Sequence, residues 1–331
     1  MSEVLLVYGV NDEYAPAAAA SLRSVIACAD PARRYRVCIL HMGLESRHQE
    51  RLRAMGTENV SVEIIDVSCL ARRESWPSNS RFGPEIYLRL YAPAVCGSSS
   101  KLLYLDADTI LLRDAAELYD LPLNGAALGA CWSFATPFMD GYVRRTVGLE
   151  PEDYFNSGVL LIDAKIFERQ DIRTRCLQIL RVRPRLICFD QDALNLALGG
   201  RFCRLPDRWN VQWTGHLHPR RDLSERPENA QRRRIGRAEA EAALLHYASD
   251  FKPWAFPCAW GAGPFWSAAF ETPYREEFME LYTFRRENPK AFAPIIPPWR
   301  GFRRSAALAG YSYAARELIS NVLRLDGGLP C

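Results

Sequence analysis

Lys101-Leu-Leu-Tyr-Leu-Asp106-Ala-Asp108-Thr-Ile-Leu-Leu-Arg113 is an apolar run interrupted by two carboxylates. A run of this kind reads as a buried strand. In an extended chain residues i and i+2 share one side, so Asp106 and Asp108 are expected to aim at one point. Two unpaired carboxylates at the edge of an apolar core are costly. A divalent cation of the Mg²⁺ or Mn²⁺ kind would neutralise them and carry phosphate oxygens on its open positions. The pair therefore points to a metal–nucleotide site. The alternative is a strand-ending Asp that caps the next helix, with its neighbour solvated. The motif is short, and the rest of the chain decides between the two.

Working outward, Val4–Val10 is a continuous apolar run that stops at Asn11-Asp12-Glu13. Ala17, Ala18, Leu22, Val25 and Ile26 follow at helical spacing. Tyr35–Leu40 predicts a second strand, Ser46–Met55 a charged surface helix and Val60–Val67 a third strand. This alternation is the pattern of a parallel sheet with covering helices. In such sheets ligands bind outside the carboxyl ends of the strands, which is where Asn11–Glu13 and Asp106/Asp108 fall. Further on, Pro84–Ala92 reads as a short helix, Ala126–Trp132 and Tyr154–Ile162 as strands, and Asp163–Val182 as one amphipathic helix. Asp190–Leu198 starts another helix, and Phe202–Leu205 and Ala243–Tyr247 complete the strands. The polar, Arg-rich stretch Pro219–Arg237 reads as an excursion from the core, and His216 and His218 as loop residues.

At 331 residues, 48% hydrophobic and 24% charged, the composition is that of a globular protein. A net charge of +3 is too small to argue for a nucleic-acid partner. Ten cysteines are scattered singly, with no Cys-x-x-Cys pair; together with the lack of a signal-peptide pattern at Met1–Asn11, where Glu3 and Asp12 flank a short apolar run, they predict a reducing, cytoplasmic setting. No stretch approaches the ~20 apolar residues of a spanning helix. From Trp254 onward aromatics, prolines and basic residues mix. Met1–Pro273 is read as the catalytic core and residues 274–331 as an appendage.

Three other stretches carry chemistry. In Tyr154-Phe-Asn156-Ser157-Gly158-Val-Leu-Leu-Ile162 the glycine permits close backbone approach and the Asn amide can meet a sugar hydroxyl. Phe189-Asp190-Gln191-Asp192-Ala-Leu-Asn195 is an acidic helix start, which on its own reads as a cap. In His246-Tyr-Ala-Ser249-Asp-Phe-Lys252-Pro-Trp254 the imidazole would favour Mn²⁺ over Mg²⁺ as a third ligand, and Lys252 would meet a phosphate as a point charge.

Taken in order, Tyr104-Leu-Asp106-Ala-Asp108, Phe155-Asn156-Ser-Gly158, Phe189-Asp190-Gln191-Asp192, and His246-Tyr247 with Lys252-Pro253-Trp254 resemble glycosyltransferase family 8. Its members are retaining enzymes of the GT-A fold and include bacterial lipopolysaccharide galactosyl- and glucosyltransferases and the glycogenins. Arg89 in Tyr87-Leu-Arg-Leu matches as well, and the likeness runs from about Leu5 to Trp260. The resemblance implies an α/β sheet of GT-A type with a C-terminal helical appendage. It implies Mn²⁺ on Asp106, Asp108 and His246, holding the diphosphate of a UDP-sugar such as UDP-galactose or UDP-glucose. By the same resemblance Tyr8, Gly9, Asn11 and Glu13 would hold uracil and ribose. Ala107, Ser249 and Lys252 would contact the nucleotide. Arg89, Asn156 and Asp190 would meet donor-sugar hydroxyls, and Gln191 would lie by the anomeric carbon. The acceptor would be an oligosaccharide or glycolipid. Where bacterial relatives place an acidic residue after an Ala-Cys stretch, Ala130-Cys131 is followed here by Trp132-Ser133.

Asp106-Ala-Asp108-Thr109 also looks like the first motif of haloacid-dehalogenase-type phosphatases, with Asp106 as nucleophile. Those enzymes place it on their first strand and need a later paired acidic motif, which this chain lacks. A catalytically silent nucleotide-sugar binder is a further alternative, and the complete Asp/Asp/His/Lys set speaks against it. The tail from Pro294, with Trp299, Phe302 and an apolar stripe from Ala307 to Leu323, fits either an anionic membrane surface or packing on the domain.

Overall fold

A computed structural model describes residues 3–77, 83–95, 100–134, 137–213, 230–248, 252–257 and 261–287. Among the described residues ten strands form two sheets. In the larger sheet, β1 (Val4–Gly9), β2 (Tyr35–His41), β3 (Val60–Asp66), β4 (Lys101–Leu105), β6 (Leu128–Trp132), β7 (Phe155–Asp163) and β8 (Cys203–Arg204) lie in the order β3-β2-β1-β4-β7-β6-β8. The smaller sheet is β5 (Thr109–Leu111), β10 (Leu244–His246) and β9 (Val211–Gln212), in that order.

The sheet's interior follows from side-chain character. β1 and β4 are Val/Leu-rich and buried along almost their whole length, as strands covered on both faces must be. The edge strand β3 alternates Val, Ser, Val, Glu and is only partly buried. β1, β2, β3 and β4 pair in parallel, and β7 runs antiparallel to both β4 and β6. Consequently β1, β4, β6 and β8 all point their carboxyl ends to the same edge of the sheet. Tyr8 pairs with Leu105, so Asn11 and Asp106 emerge beside each other.

The helix Ala15–Cys28 fits closely because alanines form most of its buried side. Gly263–Ala269 packs against it, seating Phe265 and Trp266 in the core. The helix Arg275–Glu287 is held through Phe278, 5.6 Å from Phe265, and by a 2.8 Å hydrogen bond between Tyr274 and His48 just before it. Burying each of these aromatics contributes about 2–3 kcal/mol.

Two expectations are corrected. Asp163–Val182 is not one helix but two, Ala164–Arg169 and Ile172–Val182. Asp171 sits at φ 50°, a left-handed conformation that ends the first helix. Part of the excursion Pro219–Arg237 is a helix, Ala230–Ala240; the residues before it, including His216 and His218, lie outside the described residues, as do Ser249 and the tail from Pro294. None of the seven described cysteines is in a disulfide. Among the described residues no helix is long and apolar enough to cross a membrane.

Candidate metal and nucleotide site

Asp106 and Asp108 do not alternate along one strand. β4 ends at Leu105 and β5 starts at Thr109, so the two carboxylates sit in the turn that leads from the large sheet to the small one. The turn still brings them together. Asp106 N–H donates to the Gly158 carbonyl at 2.8 Å, and Tyr247 N–H donates to the Asp108 carbonyl at 2.9 Å. The second of these fixes the partner. β10 runs antiparallel to β5 with His246 opposite Thr109, which delivers the imidazole to the carboxylates.

His246 Nε2 lies 3.2 Å from Asp108 Oδ1 and 3.7 Å from Asp106 Oδ2. The three donor atoms all fall within 4.8 Å of one another. The other ring nitrogen, Nδ1, is 2.9 Å from Oδ1 of the buried Asn210. An amide oxygen only accepts, so this contact puts the proton on Nδ1 and leaves a lone pair on Nε2 facing the carboxylates. Asn210 in turn donates to Asn156 Oδ1 at 2.9 Å. Two carboxylate oxygens and an imidazole nitrogen so oriented suit a divalent ion of the Mn²⁺ type.

Gly158 makes room for this cluster. A Cβ there would lie 2.2 Å from His246 Cε1 and 2.6 Å from Asp106 Oδ2. The close approach expected of this glycine is thus to the side chains of His246 and Asp106.

Charges around the cluster do not balance. Lys252 Nζ donates to Asp108 Oδ2 and to the Tyr247 carbonyl. Burial alone would raise the Asp108 carboxyl and lower the Lys252 ammonium. Their mutual attraction reverses both, holding Asp108 well below the carboxylate range and Lys252 above the usual lysine value. Arg89, with a side chain only 7% exposed, bonds Asp106 at 2.9 Å, Asp190 at 3.1 Å, the Ile86 carbonyl at 3.0 Å, and both oxygens of Ser157. Three carboxylates therefore meet two cations, and one negative charge is left over for a bound cation.

The helix Phe189–Leu198 supplies the rest. Phe189 sits at φ 32°, rare for a bulky residue, and turns the next side chains inward. Asp190 is in the helix's first turn and not at its cap. Its Oδ2 accepts from Ser157 Oγ at 2.9 Å as well as from Arg89. Burial pushes this carboxyl up to about 6, although Arg89 pulls the other way. Gln191 Oε1 accepts from Asn156 Nδ2 (3.0 Å) and Ser157 N–H (3.1 Å), and its Nε2 donates to Tyr154. Asp192 anchors the helix, accepting from Tyr142, Tyr154 and Cys188 N–H.

The nucleoside-side residues divide. Tyr8 is buried, and its hydroxyl meets Ser21, so the ring belongs to the core and not to the cleft. Gly9 is required by packing, since a Cβ would come 2.8 Å from Leu88 Cβ. Asn11 Oδ1 accepts from Tyr14 N–H at 3.0 Å, and Glu13 is exposed. Ala107 is buried in the turn between the two aspartates. Asn210 and Tyr14 join the site without belonging to any of the four motifs. Tyr14 meets Trp254 edge to face at 5.9 Å, and the Lys252 ammonium lies about 6 Å from both rings. Nothing local marks Asn210, whereas an aromatic beside the polar end of β1 was a readable signal.

Known proteins resemble this chain in sequence and fold. The family model described as "Glycosyl transferase family 8" matches residues 5–258. The lipopolysaccharide 1,2-glucosyltransferase of Escherichia coli (strain K12) is 28% identical over 73% of this chain and 70% of its own. The lipopolysaccharide 1,3-galactosyltransferase of Salmonella typhimurium is 24% identical over 78% of this chain and 74% of its own. Among solved structures, the galactosyltransferase LgtC in complex with donor and acceptor sugar analogues is 26% identical, with a TM-score of 0.70 over 84% of this chain and 100% of its own. The sheet is that of the GT-A glycosyltransferases, and the phosphatase alternative is left without support. A match that takes in β1, both aspartates, Arg89, Asn156, Asp190, His246 and Lys252 places the chain in glycosyltransferase family 8.

Proposed function

We propose that the protein transfers galactose or glucose from a UDP-sugar to a glycan or glycolipid acceptor with retention of anomeric configuration. The pathway class we assign is synthesis of lipopolysaccharide or another surface polysaccharide, as the names of its relatives suggest. The observation that carries the reading is the convergence of Asp106, Asp108 and His246, with Lys252 against them.

In this reading Asp106, Asp108 and His246 hold Mn²⁺, with Mg²⁺ as the substitute. When bound, the cation supplies Lewis-acid stabilisation of the charge that gathers on the departing diphosphate. Lys252 is the second source of that stabilisation, turning its ammonium from Asp108 to a phosphate oxygen. Gly9, Asn11, Glu13 and Ala107 border the uracil and ribose, and Ser249 the diphosphate. Arg89 and Asp190 act as one unit that fixes the floor beneath the donor sugar. Asn156 orients Gln191 beside the anomeric carbon.

Retention often means a protein nucleophile. The groups here are poorly suited to it: Gln191's oxygen already accepts two hydrogen bonds, and the Asp190 oxygen nearest Arg89 accepts two as well. This favours front-side attack, in which a departing phosphate oxygen takes the acceptor's proton. A cytoplasmic location, on or near the inner membrane face, follows from this role as a proposal. It is tested by deleting residues 294–331 and measuring binding to anionic liposomes.

The primary test is UDP release from UDP-galactose and UDP-glucose, each with Mn²⁺ and with EDTA, beside Asp108→Ala. Metal-dependent release from one donor, lost in the variant, is the expected result. No release, with no metal-dependent nucleotide binding by calorimetry, would refute the reading.

A further inference from the structure

A second polar cavity lies apart from the metal cluster. It measures about 350 Å³ and lies between the turn Pro206–Trp209 and the helix Ala230–Ala240. Its charged lining is Arg208, Arg233, Arg234, Arg237, Asp207 and Glu241.

Arg234 and Asp207 neutralise each other through a two-pronged ion pair, with the guanidinium also lying 4.6 Å from the centre of the Trp132 ring. They form a fixed wall. The other three arginines are different. Among the described residues no hydrogen bond or ion pair engages the side chain of Arg208, Arg233 or Arg237; the Arg208 guanidinium lies 5.8 Å from the centre of the Trp209 ring, and its Nε is buried with no hydrogen-bond partner. A buried N–H left without an acceptor is destabilising. Arg233 and Arg237 are four residues apart on one helix, which sets two like charges side by side, itself mildly unfavourable. Glu241 is four residues further on, yet it makes no ion pair with Arg237. Three unpaired guanidinium groups against one free carboxylate leave the cavity with two positive charges. Guanidinium forks match phosphate oxygens in geometry and charge.

Position adds a second argument. Trp132 closes β6 and the Pro206–Trp209 turn follows β8, so the cavity opens at the carboxyl edge of the sheet, the edge that bears Asp106. Arg208 is two residues before Asn210, at most about 7 Å along the chain from the residue that supports His246.

We propose that this cavity binds a phosphate monoester, presented either by the acceptor glycan or by a lipid headgroup next to it. The proposal rests on the transferase reading only for the words "acceptor glycan"; the site itself is tested without a donor. Calorimetry on the full chain in EDTA, with inorganic phosphate and with glucose 6-phosphate, is compared between the wild type and the Arg233→Gln/Arg237→Gln double variant. Both residues are exposed, so the fold is retained. The expected result is at least a tenfold loss of affinity in the double variant and a smaller loss for Arg208→Lys, which keeps the charge without the fork. Donor hydrolysis in the absence of acceptor stays unchanged. A parallel arm sediments the proteins with vesicles of phosphatidylcholine with and without phosphatidic acid. Loss of phosphatidic-acid binding in the double variant, without binding of glucose 6-phosphate, assigns the pocket to a headgroup. Equal affinity of wild type and double variant for every phosphate probe, or no binding by either, overturns the proposal. Because the phosphate and vesicle binding measurements contain no donor or metal, failure there leaves the donor chemistry unaffected, and the reverse holds too.

Discussion

Replacing Asn210 by Ala removes a side chain that would not touch the ion itself and should nevertheless weaken metal binding. Asn210 is fully buried, accepts from His246 Nδ1 at 2.9 Å and donates to Asn156 at 2.9 Å. Without its amide oxygen the Nδ1 proton has no acceptor, and the imidazole loses the bond that fixes both its tautomer and its plane. Loss of an outer-shell partner of a metal-bound histidine costs roughly 10–100-fold in affinity, equivalent to about 1.4–2.7 kcal/mol. The protein as a whole loses a further ~1–3 kcal/mol of stability, because a buried donor is stranded. Asn156 Oδ1 suffers less, since it still accepts from Gly158 N–H. The assay is Mn²⁺ titration by calorimetry, with free Mn²⁺ followed by its electron paramagnetic resonance signal, alongside thermal melts in EDTA. Asn210→Asp keeps an acceptor and should retain affinity within severalfold. If Asn210→Ala melts normally and binds Mn²⁺ within twofold of wild type, the tautomer argument is wrong.

Three further outcomes are expected. Gly158→Ala should abolish Mn²⁺ binding by calorimetry and cost about 1–3 kcal/mol in urea unfolding, because its methyl would overlap His246 and Asp106. Asp192→Ala leaves the Tyr142 and Tyr154 hydroxyls buried without their acceptor, so the unfolding midpoint should fall by the equivalent of about 3–5 kcal/mol, with a matching loss of near-ultraviolet dichroism. The third concerns Asp190, whose folded carboxyl is pushed up to about 6 from an ordinary 3.8. The native state therefore holds the proton more tightly than the unfolded chain. Its stabilising contribution is complete below about pH 4 and is lost as pH rises through 6. Relative to Asp190→Asn, the wild type should lose up to about 3 kcal/mol between pH 4 and pH 7 in denaturant titrations; a flat difference would count against the burial argument.

Much of this was legible in the chain because the signals are local. Apolar runs at Val4–Val10 and Lys101–Leu105 announce buried strands, and carboxylates placed where such a run breaks stand out against it. His246 and Lys252 are recognisable for the same reason, at the end of Leu244–Leu245 and beside Pro253. What was not legible depends on register between distant segments. That Thr109 faces His246 is a property of the small sheet, and no periodicity within either strand encodes it. The convergence of Asp106 and Asp108 was expected from strand alternation and arises instead from a turn between sheets. Arg89, Asn156 and Gln191 carry polar groups of the right kind for a sugar, but the fold spends most of their hydrogen-bonding capacity on one another and on Ser157 and Asp106. Asn210 shows the limit most clearly: a single amide in Arg-Trp-Asn-Val-Gln has no pattern to announce it, and only the packed core gives it a role.

The pairing of β5 with β10 also sets a timetable for the nascent chain. Asp108 and its partner Lys252 are 144 residues apart in sequence, and His246 arrives almost as late. Until that later portion leaves the ribosome, the aspartates lack both Lys252 and His246. Closing so long a loop carries an entropic cost that is met only when β10 docks. Ion capture should therefore report completion of synthesis: ribosome-stalled chains ending before Leu244 should ignore Mn²⁺, whereas chains released after Trp254 should take it up.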